Sequence, residues 1–232
     1  RDKRVAIIGD NCYQWASTYL AVTGGVGVVV PLDKELGASE LEQLIIEAEC
    51  EAIFFTKKFL SIFTDMRERG ETKLRMLVNL NAEAAADGVE SWSALIAEGR
   101  EKIAALSDEI KAWLKENFAD FPWLAQYREW LDNPNYNIFY DANNVICVYG
   151  DTTSHWYVYD GTLCTANIML AAHAKGIGSC WIGFAQDFMD RPEIKARYKV
   201  PEQCRFVSAL SLGYAKGHLP EAQRKEPVIF NG

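Results

Sequence analysis

The sequence predicts a chain in two parts, an α/β segment over residues 1–106 followed by an α+β domain over residues 107–232. Up to about residue 80, β-branched runs alternate with amphipathic helical patterns, which is the order of a parallel βαβ layout. From Ser107 the residue pattern changes to aromatic-rich helical segments with few strand-like runs. A length of 232 residues is sufficient for one large domain or two smaller ones.

The first elements follow from hydrophobic periodicity. Val5–Gly9 is a short apolar run and predicts a buried strand. Asn11–Thr23 has large apolar residues at helical spacing, and Gly24-Gly25 is typical of the end of a helix. The β-branched run Val26–Leu32 predicts the second strand.

The α/β segment continues with a helix that Ser39 and Glu42 open as a capping box. One apolar face of this helix is formed by Leu41, Leu44, Ile45 and Ala48. Ala52–Thr56 and Arg75–Leu80 predict two further strands. Residues 81–106 are rich in Ala and Glu and have few large apolar residues, so we expect the boundary between the two parts there.

The second part opens with two amphipathic helical patterns and a turn. The first pattern consists of Ile110, Trp113, Leu114 and Phe118, and the second of Trp123, Leu124, Tyr127, Trp130 and Leu131. We expect the tryptophans of this region to pack in a core or a dimer face. Asn133-Pro134-Asn135 predicts a turn. Val145–Tyr149 has almost no polar interruption and therefore predicts a central strand.

A long helix over Gly161–Lys175, capped by Asp160 and ended by Gly176, follows. Its predicted buried stripe consists of Leu163, Ala166, Leu170, Ala171 and Ala174. Cys180–Phe184 is expected to be extended. Asp190 and Glu193 form another capping box with Pro192 in the first turn, Phe206–Leu212 predicts the last strand, and a loop follows from Gly213.

Composition excludes several classes of function. The chain is 49% hydrophobic and 24% charged with a net charge of −8, and it has no Lys/Arg-rich run. We therefore expect a soluble cytoplasmic protein that binds neither nucleic acid nor a membrane. No apolar run reaches the roughly 18 residues of a membrane span, and no signal peptide is visible. The six cysteines lack C-x-x-C spacing, which favours buried free thiols.

The residues give no sign of metal or nucleophilic chemistry. The three histidines lack metal-ligand spacing, so we predict no metal. No Ser-His-Asp order or activated cysteine is evident, and no catalytic residue is assigned.

Residues 176–183, Gly-Ile-Gly-Ser-Cys-Trp-Ile-Gly, form a glycine-broken turn after a helix. Such a turn lets the backbone approach a flat ligand because no Cβ stands in the way. The late pair Arg224-Lys225 suits a phosphate. Together they indicate a phosphorylated aromatic cofactor, a flavin. The alternative interpretation is that residues 176–183 only connect a helix to a strand, and that Arg224-Lys225 is a solvated pair of residues in the C-terminal loop.

Residues 107–231 resemble the C-terminal half of the FMN-dependent nitroreductase family. The stretches that carry the resemblance are Tyr140-Asp141-Ala142, 145–150, Asp160, 166–172, 176–183, Leu212-Gly213-Tyr214 and Arg224-Lys225. The resemblance implies an α+β fold and a homodimer with FMN at the subunit interface. It also implies that NAD(P)H donates electrons, which pass to a nitroaromatic, quinone or similar small-molecule acceptor. Backbone near Ile182 and Gly183 would face the N5/O4 edge of the flavin, and Arg224 with Lys225 would contact the FMN phosphate.

Residues 3–102 resemble the start of an adenylate-forming acyl-CoA synthetase. The matching stretches are 4–11, 19–22, 27–33, 52–55 and 90–99. The resemblance implies an AMP-binding fragment of α/β type and gives an alternative function, acyl adenylation.

Both resemblances are incomplete in the printed sequence. It has no Ser/Thr/Gly-rich phosphate loop with a lysine, as adenylation needs, and no N-terminal Arg-x-Ser-x-Arg segment, with which nitroreductases hold the FMN phosphate. Three origins therefore stay open: a fusion of two half-genes, a mis-assembled gene, or a truncated remnant. A catalytically inactive remnant would bind FMN weakly.

Overall fold

A computed structural model of the chain describes residues 3–23, 27–214, 217, 226 and 229. The chain divides into two compact units, residues 1–99 and 100–232. This division falls between Gly99 and Arg100, whereas the sequence places the boundary at residues 106 and 107.

Unit 1 has a five-stranded parallel sheet. Its strands are β1 (Arg4–Ile8), β2 (Val28–Pro31), β3 (Ala52–Phe55), β4 (Met76–Asn79) and β5 (Glu90–Ser91), in the spatial order β2-β1-β3-β4-β5. The predicted parallel βαβ layout is thus confirmed, because the alternation of strand and helix patterns leaves little choice of topology.

Three helices connect the first four strands. They are α1 (Tyr13–Ala21), α2 (Ala38–Glu47) and α3 (Leu60–Arg69), the last preceded by a 3₁₀ turn at Lys57–Phe59. Leu41 and Ile45 of α2 and Phe63 and Met66 of α3 share one buried cluster with alternate residues of the sheet. Helix α1 contributes no residue to that cluster, so α2 and α3 cover one face of the sheet together.

The predicted capping box of Ser39 and Glu42 is wrong by two residues. Gly37 is the extended residue before α2, and the Glu40 carboxylate accepts a hydrogen bond from its N–H at 2.9 Å. Ser39 already lies inside the helix, where it cannot serve as an N-cap. Glu42 instead forms an ion pair with Arg69 of α3.

The helices after Trp92 differ from the predicted pair. One helix, α4 (Trp92–Glu116), replaces the first pattern and begins well before Ser107. The second pattern is a 3₁₀ helix over Pro122–Tyr127 followed by α5 (Arg128–Asp132).

Unit 2 has a three-stranded antiparallel sheet of β6 (Asn144–Asp151), β7 (Gly178–Trp181) and β8 (Cys204–Gly213). The order is β6-β8-β7, so the prediction that Val145–Tyr149 is central is wrong. The central strand is β8, in which residues 206–211 are buried without interruption. An apolar run shows that a strand is covered, but it does not reveal how many neighbours pair with it.

Helix α6 (Tyr157–Ala174) packs on this sheet with the face opposite to the predicted one. Its buried residues are Gly161, Thr165 and Ala172. All five residues of the predicted stripe are exposed, and Leu163 and Leu170 are 63% and 67% exposed. The helical periodicity located an apolar face of α6, but this face does not contact the sheet. The opposite face carries small residues, which allow the helix to approach the sheet more closely.

The turns around α7 (Gln186–Met189) and α8 (Pro192–Arg197) complete unit 2. Pro192 begins α8 as predicted, but the capping box of Asp190 and Glu193 is wrong. The Asp190 carboxylate accepts the N–H of Phe206 at 3.0 Å instead, and no side chain caps the helix. Asp160 likewise lies in the first turn of α6 and not at its cap, which is Trp156.

All six cysteines are free thiols, as expected, but Cys164 and Cys180 are exposed, against the prediction that the thiols are buried. Across the described ranges, no helix has both the length and the apolar character needed to cross a membrane.

Candidate functional site

Ile182 and Gly183 follow directly after β7 and differ in environment. The Ile182 side chain is buried in the core of unit 2, and its N–H donates to the Ala209 carbonyl at 2.9 Å. This bond extends the pairing of β7 with β8 by one residue. The Ile182 N–H is therefore already used by the sheet and is not available to a ligand.

Gly183 has the open backbone that a flat ligand needs. It is exposed, and a Cβ built on it would meet no atom within 4 Å. No group in the described part of the chain accepts its N–H, while its carbonyl accepts the N–H of Gln186. The predicted extended segment Cys180–Phe184 therefore changes here into a 3₁₀ turn, Gly183–Ala185, because the strand pairing stops. The Gly183 N–H is thus a donor without an acceptor among the described residues.

The cationic part of the predicted site, Arg224 and Lys225, lies outside the described residues. The structure thus places Ile182 and Gly183 side by side, and the phosphate contact stays a prediction.

An aromatic surface adjoins Gly183. It consists of Trp123, Tyr127, Trp130, Tyr136, Tyr140 and Phe184. The Phe184 ring stacks on Trp123 with centroids 6.1 Å apart and meets Tyr127 edge-on at 5.2 Å. Trp123 and Trp130 are exposed in the single chain, so they do not lie in its core, and their predicted role in a dimer face stays a prediction. Their spacing showed only that they share one side of a segment.

Tyr136 is the polar member of the aromatic surface. Its hydroxyl is buried and has no hydrogen-bond partner within the described ranges. Burial raises the pKa of this phenol, which therefore stays protonated and can donate to a ligand.

Helix α4 fixes the loop that carries Tyr136. The buried ammonium of Lys111 donates to the carbonyls of Tyr136 at 2.7 Å and Asn133 at 3.0 Å. The Ser107 hydroxyl, also buried, accepts the N–H of Ile138 at 3.0 Å. Sequence reasoning missed both residues. A polar residue within an otherwise apolar helical face was the available signal, since such a group needs a partner.

Two cysteines lie near this part of the sheet. Burial raises the pKa of Cys147 to about 11 and also raises the pKa of Cys180. Both are thiols at neutral pH, and thiols are poor nucleophiles. Over the residues that the structure describes, no three His, Cys, Asp or Glu side chains are grouped to hold a metal ion.

Sequence comparison matches two families along the chain. The Nitroreductase family matches residues 71–214, and the family of AMP-binding enzymes matches residues 1–126. A protein of Archaeoglobus fulgidus named "Putative NADH dehydrogenase/NAD(P)H nitroreductase" is 23% identical over 171 residues, which cover 72% of this chain and 86% of that protein.

Solved structures resemble parts of the chain. One is a nitroreductase with bound FMN from Bacteroides fragilis, which is 27% identical. The match covers 56% of this chain and 67% of that protein's chain, with a TM-score of 0.44. An anthranilate CoA ligase in complex with anthranoyl-AMP is 14% identical over 34% of this chain and 15% of its own, with a TM-score of 0.32. Both TM-scores lie below 0.5, so family membership rests on the sequence matches alone.

Proposed function

We propose that this chain, which belongs to the nitroreductase family through residues 71–214 and to the AMP-binding enzymes through residues 1–126, is an FMN-dependent oxidoreductase. NAD(P)H would donate the electrons, and a nitroaromatic, a quinone or a similar small molecule would accept them. The protein in such a reaction holds the cofactor, orients the acceptor and sets the electrostatics.

The exposed Gly183 N–H carries this proposal. It is a fixed donor with no competing acceptor in the described chain, and the space beyond its Cα is open. An N–H at the N5/O4 edge of a flavin stabilises the electron density that the ring gains on reduction. Ile182 supports the donor indirectly, because its bond to Ala209 holds the peptide against β8.

The aromatic surface supports a planar acceptor. Phe184 follows Gly183 in the chain, so a ring that lies on this surface is close to the proposed flavin edge. Aromatic pairs gain about 0.5–1.5 kcal/mol beyond their area burial. The protonated Tyr136 hydroxyl would donate to an oxygen of the acceptor once a side chain of the surface moves aside.

The outward face of α6 supports a homodimer. A helix that is apolar on all sides is normally covered on all sides. Leu163 and Leu170 are exposed in the single chain, although Gly161 and Thr165 on the other side are buried against the sheet. A second copy of the chain would cover these leucines. The proposed contacts of Arg224 and Lys225 with the FMN phosphate would complete the site.

The visible spectrum tests the cofactor directly. We expect the purified chain, loaded with FMN and desalted, to keep a flavin absorption band that NAD(P)H bleaches without oxygen. Addition of a quinone or nitroaromatic should then restore the band. A chain that is colourless after FMN loading and desalting would refute the proposal, and a band that NAD(P)H fails to bleach would leave only a flavin-binding remnant.

The AMP-binding match favours a second candidate, acyl adenylation. An assay of ATP–pyrophosphate exchange with a panel of carboxylic acids separates the two functions. Exchange by a chain that does not bind FMN would support adenylation in place of the oxidoreductase.

A further inference from the structure

A cavity of about 440 Å³ lies in unit 1 between helix α3 and the connection from β4 to β5. Helix α3 lines one side of it with Leu60, Ser61, Thr64, Arg67 and Glu68, and residues at the end of β4 and after it line the other. The five residues of α3 have the spacing of one helical face, so they border the same space. Cavities of about 300–1,000 Å³ hold small-molecule ligands, and this one has the volume for such a ligand.

The wall opposite α3 is held by a tight turn. Ala86 and Val89 exchange both backbone hydrogen bonds, at 3.0 and 2.9 Å, and Asp87 and Gly88 between them have φ angles of +52° and +72°. Positive φ at both central residues is typical of a type I′ turn, for which Asp-Gly is a preferred pair. From α3, the Arg67 guanidinium donates to the carbonyls of Asp87 and Gly88 at 3.2 and 2.5 Å. The turn is therefore fixed in position before a ligand binds.

Asn79 is the buried polar residue of the cavity lining. It ends β4, it is only 6% exposed, and its Oδ1 accepts the N–H of Asn81 at 2.9 Å. No residue in the described part of the chain accepts from its Nδ2, which is not fully enclosed and so opens on the cavity. Buried polar groups are normally paired with protein, water or a ligand. The amide of Asn79 therefore favours a ligand with an acceptor oxygen.

Two carboxylates decide the charge of the cavity. Glu68 of α3 and Asp87 of the turn both line it, and across the described ranges neither side chain has an ion pair or a hydrogen bond. Together with the guanidinium of Arg67, they leave one net negative charge at the lining. The rest of the lining is mostly small or apolar and includes Leu60, Ala82, Ala84, Ala86 and Val89. A cation with a short apolar body fits this lining better than an anion does.

We propose that this cavity binds a small organic cation, a primary ammonium group on a short aliphatic chain that ends in an amide. The ammonium group donates to the carboxylates of Glu68 and Asp87, and the amide oxygen accepts from Asn79. The aliphatic chain lies on the alanines of the connection from β4 to β5. The site lies wholly within unit 1 and does not rest on the proposed oxidoreductase function.

Four related compounds test this recognition: 4-aminobutanamide, butylamine, butanamide and butyrate. We expect 4-aminobutanamide to bind the full-length chain most tightly in ¹H saturation-transfer titrations at low ionic strength, because it alone makes both polar contacts. Butylamine and butanamide each lose one contact and should bind at least about threefold more weakly. Butyrate should not bind at the same concentrations, because its charge has the same sign as that of the lining.

Ala84→Trp should abolish the binding of 4-aminobutanamide, because the indole ring fills the cavity that Ala84 lines. Ala85→Trp is the matched control, since Ala85 is the neighbouring exposed alanine and does not line the cavity. Both positions are exposed, so both variants should keep the helical circular dichroism of wild type. Binding of 4-aminobutanamide by A84W as tight as by A85W would overturn the proposal.

The double variant E68Q/D87N should weaken 4-aminobutanamide about tenfold, because it removes two charged acceptors. Asparagine is favoured in the first central position of a type I′ turn, so the turn is kept. The control E83Q/E90Q removes the same charge from two exposed glutamates outside the cavity lining and should leave the affinity unchanged. Equal weakening by the two double variants, no binding at millimolar 4-aminobutanamide, or tighter binding of butyrate would overturn the proposal.

Discussion

The Thr165 hydroxyl of α6 lies 2.6 Å from the Ser208 hydroxyl of β8, and both residues are fully buried. Thr165 Oγ1 also donates to the Gly161 carbonyl at 2.7 Å, so Ser208 is the donor in the pair. One turn earlier, a Cβ on Gly161 would lie 2.8 Å from the Val207 side chain. Small and hydroxyl-bearing residues thus form the contact of α6 with the sheet, and the larger apolar residues of α6 are directed outward.

Thr165→Val should destabilise the chain by about 1–3 kcal/mol, because the isosteric change leaves the Ser208 hydroxyl buried without an acceptor. The free energy of unfolding, from urea titration followed by tryptophan fluorescence, measures the loss. The double variant T165V/S208A should recover most of it, since neither hydroxyl then remains. Equal stabilities of T165V and wild type would show that the pair contributes nothing.

Leu163→Gln/Leu170→Gln should convert a dimer into a monomer without loss of helical circular dichroism. Both leucines are exposed in the single chain, and the proposed partner chain would cover them. Light scattering coupled to size-exclusion chromatography gives the mass. The control L20Q changes a leucine of α1 that is 68% exposed and should leave the mass unaltered. A wild-type chain that elutes as a monomer at high concentration would contradict the proposed dimer.

Gly183→Pro should weaken FMN binding or lower the flavin reduction potential, because it removes the Gly183 N–H from the proposed flavin edge. Proline is tolerated at the first residue of a helical turn, and Ile182 before it is already extended, with φ −101° and ψ 104°.

Gly183→Ala is the matched control for this position. It keeps the N–H, and its methyl group enters open space. Fluorescence titration of FMN and spectroelectrochemistry distinguish the two variants. If alanine and proline act alike, the N–H has no role.

The ion pair between Glu109 of α4 and Arg197 of α8 should make stability depend on pH. The guanidinium donates to both carboxylate oxygens, at 2.6 and 2.8 Å, and lowers the pKa of Glu109. A carboxyl group with a lowered pKa stabilises the folded state above its unfolded pKa, and this contribution is lost as the pH falls through the folded value.

Arg197→Gln should therefore be less stable than wild type at neutral pH, and the difference should vanish in acid, below the usual range of a glutamate. Both side chains are partly exposed, so we expect the difference in unfolding free energy between the two proteins to be small. Urea midpoints of the two proteins at several pH values provide the measurement. Arg205→Gln is a control that leaves Glu109 paired. A difference between wild type and R197Q that stays constant into acid would exclude this pair as its source.

Local patterns predicted several elements of both units. The strands that begin with Arg4 and Ala52, and the end of α6 at Gly176 with its positive φ, follow from apolar runs and from the tolerance of glycine for left-handed backbone. Helix α3 was not predicted. The 3₁₀ turn over Pro122–Tyr127 did not follow, because its spacing of apolar residues is close to that of an α-helix.

The candidate site was predicted only in part. The glycine pattern located Gly183, but it could not show that Ile182 N–H is taken by Ala209, since that bond joins residues far apart in the chain. The loop held by Lys111 and the unpaired hydroxyl of Tyr136 were missed for the same reason.

By itself, the sequence determined the types of element, their order and the two families, because these depend on periodicity, turn residues and motifs that are local in the chain. Only the tertiary structure decided that β8 is central, that α6 turns Leu163 outward, and that Lys34 and Lys58 meet at Asp10. These outcomes depend on which surfaces approach most closely, and close packing selects them from faces that are equally apolar in sequence.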